Sequence, residues 1–203
     1  MLEKKKMENF GFKKVSKKEK PKLVNKVFDS VAFKYDLMND LMSAGLHRLW
    51  KDSFIDWLAP RKNTHLLDVA GGTGDIAFRF IKRTKNQARV TVLDRNENML
   101  KEGKRRSNVG QIETDLEWVC ADAMKLPFEN EVFDYYTISF GIRNVLDLKK
   151  CLSEALRVLK PGGIMALSVP RYLPELICWK LSKDYSKTPG GHVRRFPSIK
   201  RLY

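Results

Sequence analysis

The residues best suited to chemistry lie in a glycine-rich turn, residues 68–75, which follows a short apolar run and carries an aspartate at each end. Gly72 and Gly74 allow the backbone to bend tightly and to approach a ligand without a Cβ in the way. Asp94 follows Gly72 by 22 residues, at the end of the next apolar run. A carboxylate at that place can accept hydrogen bonds from both ribose hydroxyls of an adenosine.

The same turn also satisfies the loose dinucleotide fingerprint, since Gly72, Gly74 and Ala77 have its spacing. A dehydrogenase that uses NAD is therefore one interpretation. Asp75 argues against it, because a pyrophosphate at a helix N-terminus requires bare N–H groups and a positive potential.

S-adenosylmethionine suits the acidic residues better, because it has no phosphate and its methionine end carries an ammonium. Asp68 precedes the turn, where a carboxylate suits a cationic ligand. Asp122 and Ala123 follow the third predicted strand, where a carboxylate can accept from the adenine amino group. Each aspartate alone could be a helix cap or a turn residue, but all of them in register favour S-adenosylmethionine as the cofactor.

A second group of polar residues follows the fourth predicted strand, in residues 139–144. Arg143 and Asn144 interrupt an otherwise apolar stretch there, so they are candidates for the reacting end of the site. The alternative is an arginine in a surface salt bridge beside a turn asparagine. Tyr35 lies on a predicted N-terminal helix that suits a lid over an apolar substrate, although the same helix could pack as core.

These residues require an alternating series of strands and helices. Apolar periodicity predicts strands over 65–69, 89–93, 116–120, 133–139 and 164–169, with helices over 75–83, 97–106 and 148–159 between them. The alternation implies right-handed crossovers and a parallel sheet, with ligands beyond the carboxyl ends of its strands. We therefore predict an α/β fold, that of a Rossmann-like class I S-adenosylmethionine-dependent methyltransferase, with helices flanking the sheet.

The chain of 203 residues predicts a single methyltransferase domain over 23–203, preceded by a flexible basic arm over 1–22. Within the domain we expect N-terminal lid helices over 23–60, a cofactor-binding core over 64–169 and a divergent tail over 170–203. The net charge of +15 favours an acidic partner, or solvated ends of the chain. Three cysteines without a Cys-x-x-Cys pair predict no metal site. No aromatic-basic interleaving is visible, so no nucleic acid is expected.

The motifs together resemble the ubiquinone/menaquinone biosynthesis C-methyltransferase family. The matching segments are residues 27–40, 45–51, 67–75, 138–145 and 157–163. The resemblance implies that the cofactor is contacted by Thr73, Asp94, Asp122, Ala123 and Ser139. It also implies methyl transfer to a ring carbon of a polyprenyl methoxy-benzoquinol.

Residues 9–15 resemble the mitochondrial branch of that family, which makes ubiquinone. The resemblance implies a peripheral place on the matrix side of the mitochondrial inner membrane, in contact with anionic lipid and within a ubiquinone-biosynthesis protein complex. No targeting signal is readable in the sequence.

A ring carbon is a poor nucleophile until a ring hydroxyl loses its proton, so the enzyme must assist that loss and align the carbon with the methyl group. We assign this role to Arg143 with Asn144 and Tyr35. Because arginine is normally locked in its cationic form, electrostatic stabilisation of the phenolate is favoured over proton abstraction.

The chain departs from the family after the fifth predicted strand, where residues 168–170 replace a Glu-Phe-Ser segment. We expect the last two strands of the sheet to be missing, which would leave the fifth strand as an exposed edge and impair turnover. Two alternatives stay open: a methyltransferase for RNA or another small molecule, and an inactive truncated form that serves as a scaffold in the biosynthetic complex.

Overall fold

The computed structural model describes residues 7–10, 13–16, 41, 45–110, 114–172, 175–182 and 192–195. The elements are, in chain order, β1 (Met7–Phe10), β2 (Lys13–Ser16), α1 (Leu46–Leu58), β3 (His65–Val69), α2 (Asp75–Arg83), β4 (Arg89–Asp94), α3 (Glu97–Val109), β5 (Leu116–Cys120), β6 (Phe133–Ser139), a 3₁₀ turn (Gly141–Asn144), α4 (Leu148–Val158), β7 (Leu159–Tyr172), β8 (Glu175–Ser182) and β9 (His192–Arg195).

Strands β3 to β9 form one sheet in the order β5-β4-β3-β6-β7-β8-β9. The first five strands in that order pair in parallel, as the alternating pattern predicted. The chain order reverses at β3, with β4 on one side of it and β6 on the other. A crevice at the carboxyl ends of β3 and β6 is therefore where this topology places a ligand.

The central strands are buried on both faces, which explains why they read as nearly continuous apolar runs. Successive residues of β3 point to opposite faces, so Leu66 joins a cluster with Phe54 and Phe80, whereas Leu67 joins a second cluster on the other face. The sheet therefore holds its carboxyl edge rigidly between two packed layers.

Helix α1 packs on one of these faces, with Leu49 exposed on its other side. The buried stripe consists of His47, Trp50, Lys51, Phe54, Ile55 and Leu58. The buried face of α1 therefore includes a lysine, which a pattern of apolar residues does not identify.

The prediction that the sheet lacks its last two strands is wrong. Strand β7 starts at Leu159 and pairs antiparallel with β8, and β8 pairs antiparallel with β9. Antiparallel neighbours need only a short connection, so the divergent tail covers the edge of the fifth strand without a helical crossover. The expected exposed edge at β7 is wrong for the same reason.

Only part of the predicted N-terminal arm and lid helices falls within the described residues. Strands β1 and β2 form a separate antiparallel pair within the region expected to be a flexible arm. The arm's composition gave no sign of that pairing. Tyr35 and most of the predicted lid lie outside the described residues.

Two loops touch at the carboxyl ends of β3 and β6. Ala70 and Phe140 both have left-handed backbones, with φ of 52° and 63°. A Cβ added to Gly141 would overlap the Cβ of Ala70. Only one methyl group fits between the glycine-rich turn and the loop after β6, so these two loops hold each other in place.

We expect Gly141→Ala to lower the melting temperature by roughly 5 °C, because the added methyl forces the two loops apart. The double variant Ala70→Gly/Gly141→Ala should recover most of that loss, since it restores a single methyl at the contact. Thermal melts monitored by circular dichroism check this. A double variant as unstable as Gly141→Ala alone would show that the contact is not the cause.

Candidate active site

One cavity lies at the carboxyl ends of the parallel strands, and it gathers most of the residues singled out from the sequence. The predicted residues that line it are Asp68, Gly72, Thr73, Asp94, Asp122, Ala123, Ser139, Arg143 and Asn144. Gly74 has a different position: it caps α2, and a Cβ there would come within 2.6 Å of the Trp118 ring. Gly74 thus allows close packing under the turn.

Asp94 is held in a fixed orientation by backbone donors. The Gly72 N–H donates to one carboxylate oxygen at 2.9 Å, and the Asn96 N–H donates to the other at 2.8 Å. Burial raises the pKa of Asp94, and these two hydrogen bonds oppose the rise. The Arg95 N–H also reaches this carboxylate, which still leaves acceptor capacity for a ribose hydroxyl.

Gly72 keeps the space in front of Asp94 open. Its backbone is left-handed, with φ of 56°, and a Cβ there would lie 3.0 Å from Met99 Cε and 3.9 Å from Asp94 Oδ2. A larger residue would be strained and would occupy the region beside the carboxylate. The turn therefore leaves room for a sugar between backbone and acid.

Two buried oxygens in the cavity wall lack a hydrogen-bond partner among the described residues. They are Asp68 Oδ2 and Ser139 Oγ. The other carboxylate oxygen of Asp68 accepts from Thr137 Oγ1 at 2.8 Å. Burial raises the pKa of Asp68 to about 7, and the Thr137 hydrogen bond opposes that rise. Unpartnered buried polar groups are costly, so both oxygens indicate a polar or cationic ligand.

A partly buried ion pair lines the cavity next to α1. Lys51 pairs with Asp75 at the start of α2, and Asp75 also pairs with Arg79. Arg79 then reaches Asp52 at 2.9 Å, which ties α1 to α2. Lys51 and Arg79 offset Asp75, and Arg95 lies beside Asp122, so among the described residues the acids of the cavity without an ion pair are Asp68 and Asp94.

Sequence reasoning did not assign Lys51 to the site. The signal that could have found it is the spacing of α1, where Lys51 stands three and four residues before the buried Phe54 and Ile55. A lysine on a buried stripe needs a partner or a ligand. We expect its ammonium to favour the carboxylate of an amino-acid ligand.

Asp122 lines the cavity just after β5, the edge strand of the sheet. One of its carboxylate oxygens accepts from the Met124 N–H at 2.9 Å, and the other lies 3.7 Å from the Arg95 guanidinium. Arg95 was also missed from the sequence. Since both side chains are partly exposed, this ion pair contributes little stability and leaves Asp122 able to accept from a ligand.

Arg143 and Asn144 end the 3₁₀ turn after β6 and are both exposed at the cavity. Among the residues that the structure describes, no carboxylate pairs with Arg143. The alternative interpretation, an arginine engaged in a surface salt bridge, therefore has no support within that part of the chain. As far as the described residues go, the guanidinium can interact with a substrate.

The chemistry of the cavity fits S-adenosylmethionine. Asp94 can hold the ribose, and the unpartnered oxygen of Asp68 suits a positive charge, which a pyrophosphate does not offer. In the described part of the chain, no cluster of His, Cys, Asp or Glu could hold a metal ion, and no helix is long and apolar enough to span a bilayer.

Fold and site together define a class I S-adenosylmethionine-dependent methyltransferase. The chain belongs to the ubiE/COQ5 methyltransferase family, whose model matches residues 13–185.

Comparison with individual proteins agrees with this assignment. The chain is 55% identical over 172 residues to the ubiquinone/menaquinone biosynthesis C-methyltransferase UbiE of Paracoccus denitrificans, which covers 84% of this chain and 68% of that protein. A crystal structure of a SAM-dependent methyltransferase from Aquifex aeolicus has the same fold, with a TM-score of 0.58 and 21% identity over 70% of this chain and 72% of that one. A Bacillus halodurans structure matches with a TM-score of 0.54 and 28% identity, over 59% of this chain and half of that one.

We expect cofactor binding to release a proton from Asp68. A cation beside the carboxylate lowers its pKa from about 7, so affinity should rise as pH rises through 7, with up to about 0.9 proton released at about pH 6. Calorimetry with S-adenosylmethionine in buffers of different ionisation enthalpy measures that release.

Two variants isolate the contribution of Asp68. Asp68→Asn should remove the release, whereas Thr137→Val should increase it near pH 7 by deleting the hydrogen bond that stabilises the carboxylate. The cofactor's own ionisation is the same for every variant. Equal proton release by Asp68→Asn and the unmodified chain would assign the proton elsewhere.

Proposed function

We propose that this protein transfers a methyl group from S-adenosylmethionine to a ring carbon of a polyprenyl methoxy-benzoquinol, in ubiquinone biosynthesis. The observation that carries the proposal is that Arg143 and Asn144 line the same cavity as Asp68 and Asp94. The cofactor end and the candidate reaction end are thus continuous. The name of the Paracoccus denitrificans relative supports the choice of a quinol ring as acceptor.

When bound, S-adenosylmethionine supplies an electrophilic methyl group on a positively charged sulfur. The protein must then position the acceptor ring and raise the electron density at its carbon. Positioning alone can lower the barrier by about 7–11 kcal/mol in well-aligned cases. The rigid contact between Ala70 and Gly141 fixes the cofactor turn relative to the loop that carries Arg143.

Arg143 supplies a permanent positive charge at the reaction end. Its guanidinium stabilises negative charge on the ring oxygen as the hydroxyl proton leaves for solvent, and it does not take the proton itself. The side-chain amide of Asn144 can donate to the same oxygen. Tyr35, which lies outside the described residues, is proposed as a third polar group at this hydroxyl.

The cavity lining also includes large apolar side chains, which suit an aromatic substrate. The apolar lining residues are Ile76, Leu93, Met99, Phe140, Val145 and Leu146. Among these lining residues, Leu146 is exposed.

The proposed setting is the matrix side of the mitochondrial inner membrane, within a ubiquinone-biosynthesis complex. Its support is the resemblance of residues 9–15 to the mitochondrial branch of the family. The positive charge of the chain is compatible with contact to anionic lipid.

A labelled-methyl assay tests the reaction directly. We expect label from S-adenosylmethionine to appear on a methoxy-benzoquinol analogue and not on total RNA, because the cavity combines apolar side chains with four aspartates, which disfavour a phosphate backbone. Label on RNA alone would support the rival class of methyltransferase. Tight cofactor binding without transfer to either acceptor would support the inactive scaffold.

We expect Arg143→Ala to lower kcat by about 100-fold while leaving the Kd for S-adenosylmethionine nearly unchanged, since removing one preorganised donor costs about that much. Arg95→Ala is the matched control, because Arg95 lines the cavity beside Asp122 and should affect cofactor Kd more than kcat. Full turnover by Arg143→Ala would rule out its assigned role.

A further inference from the structure

The ring of Trp118 fills a slot between the glycine-rich turn and helix α3. A Cβ built on Gly74, in the turn, would lie 2.6 Å from the Cη2 atom of this ring. A Cβ built on Gly103, in α3, would lie 2.4 Å from the same atom. Neither glycine can therefore gain a side chain while the indole stays in place. Phe78 of α2 packs edge-on against the ring, with 6.2 Å between the ring centroids.

This slot lies directly behind the cofactor side of the cavity. Trp118 belongs to the edge strand β5 and is not itself a lining residue, but its neighbour Gly74 directly follows Thr73, which lines the cavity. Helix α3 supplies the facing wall through Met99, whose methyl group would lie 3.0 Å from a Cβ built on Gly72. The indole therefore spaces two parts of the cofactor site, with the turn on one side and α3 on the other.

The position of the turn relative to Asp94 depends on a small number of contacts. The Gly72 N–H donates to Asp94 Oδ2 at 2.9 Å, and the Gly71 N–H donates to the Leu93 carbonyl at 3.1 Å. Asp94 ends β4 and α3 begins shortly after it, so the carboxylate belongs to the same unit as α3. Packing on Trp118 holds the turn against that unit. A smaller ring would leave a cavity, into which neighbouring groups partly relax, and the turn would shift relative to the carboxylate.

We propose that Trp118 is a positioning residue for ribose recognition, which holds the glycine-rich turn where Asp94 accepts a hydrogen bond from a ribose hydroxyl of the cofactor. Two glycines from separate elements meet one atom of its ring, so the size of the ring is fitted as well as its apolar character. The inference rests on the predicted ribose contact of Asp94. It concerns the cofactor alone and is therefore independent of the proposed acceptor.

Calorimetric binding of S-adenosylhomocysteine and of its 2′-deoxy analogue to the full chain tests the proposal, because the ratio of the two Kd values reports the hydroxyl contact. A hydrogen bond to a carboxylate should make the analogue bind about tenfold more weakly to the unmodified chain. Trp118→Phe shortens the ring, so the displaced turn no longer orients Asp94. We expect this variant to reduce the Kd ratio to about threefold or less.

Phe133→Leu is the matched control for a loss of stability. Phe133 is also a fully buried aromatic residue, but it lies at the start of β6, at the end of the sheet away from the cavity. This variant should lower the melting temperature, as Trp118→Phe does, and leave the Kd ratio unchanged when both are measured at a temperature where each variant is folded. A Kd ratio that stays near that of the unmodified chain in Trp118→Phe would overturn the proposal. An equal fall in Phe133→Leu would overturn it too.

An exchange of volume across the slot provides a rescue experiment. In Trp118→Phe/Gly103→Ala the added methyl group occupies space that the indole leaves, and it contacts the turn directly, 3.0 Å from the Thr73 carbonyl oxygen. We expect the Kd ratio to return to about tenfold in this double variant. Gly103→Ala alone should reduce the ratio, because its methyl group overlaps the indole. A double variant with the ratio of Trp118→Phe would contradict the proposal, and so would an unmodified chain that binds both ligands equally.

Discussion

The parallel pairing of β3 with β4 on one side and β6 on the other is the constraint on which the site depends. It brings Asp68, Asp94 and Ser139 to one edge of the sheet, although 71 residues separate the first from the last. Packing on both faces of the sheet leaves these strands no freedom to shift in register. The functional side chains are therefore positioned by the core, and the loops add only their final orientation.

Charge at this edge is balanced unevenly. Lys51 and Arg79 neutralise Asp75, whereas Asp68 is buried with a raised pKa and one unpartnered oxygen. Positive charge is consequently favourable beside Asp68. The neighbouring N-terminus of α2 would otherwise attract anions. Selection for a sulfonium over a pyrophosphate follows from this distribution rather than from the glycine pattern, which both cofactors share.

Much of this arrangement was readable from the sequence because it depends on local patterns. The first four parallel strands and the contact of nine predicted residues with one cavity follow from apolar runs that end in polar residues. Lys51 was not predicted, because its role depends on which face of α1 is buried, and packing alone determines that face. Strands β8 and β9 escaped notice because their pairing is set by neighbours in space, and the family pattern gives no guide in that segment.

The single methyl group between Ala70 and Gly141 has an evolutionary consequence. Either position can carry the methyl, but an exchange must pass through a form with none or with two, and the form with two overlaps. The glycine-rich turn and the reaction loop are thus bound to diversify together. If changes in the loop after β6 alter the acceptor specificity, the contact between Ala70 and Gly141 must be preserved or exchanged first.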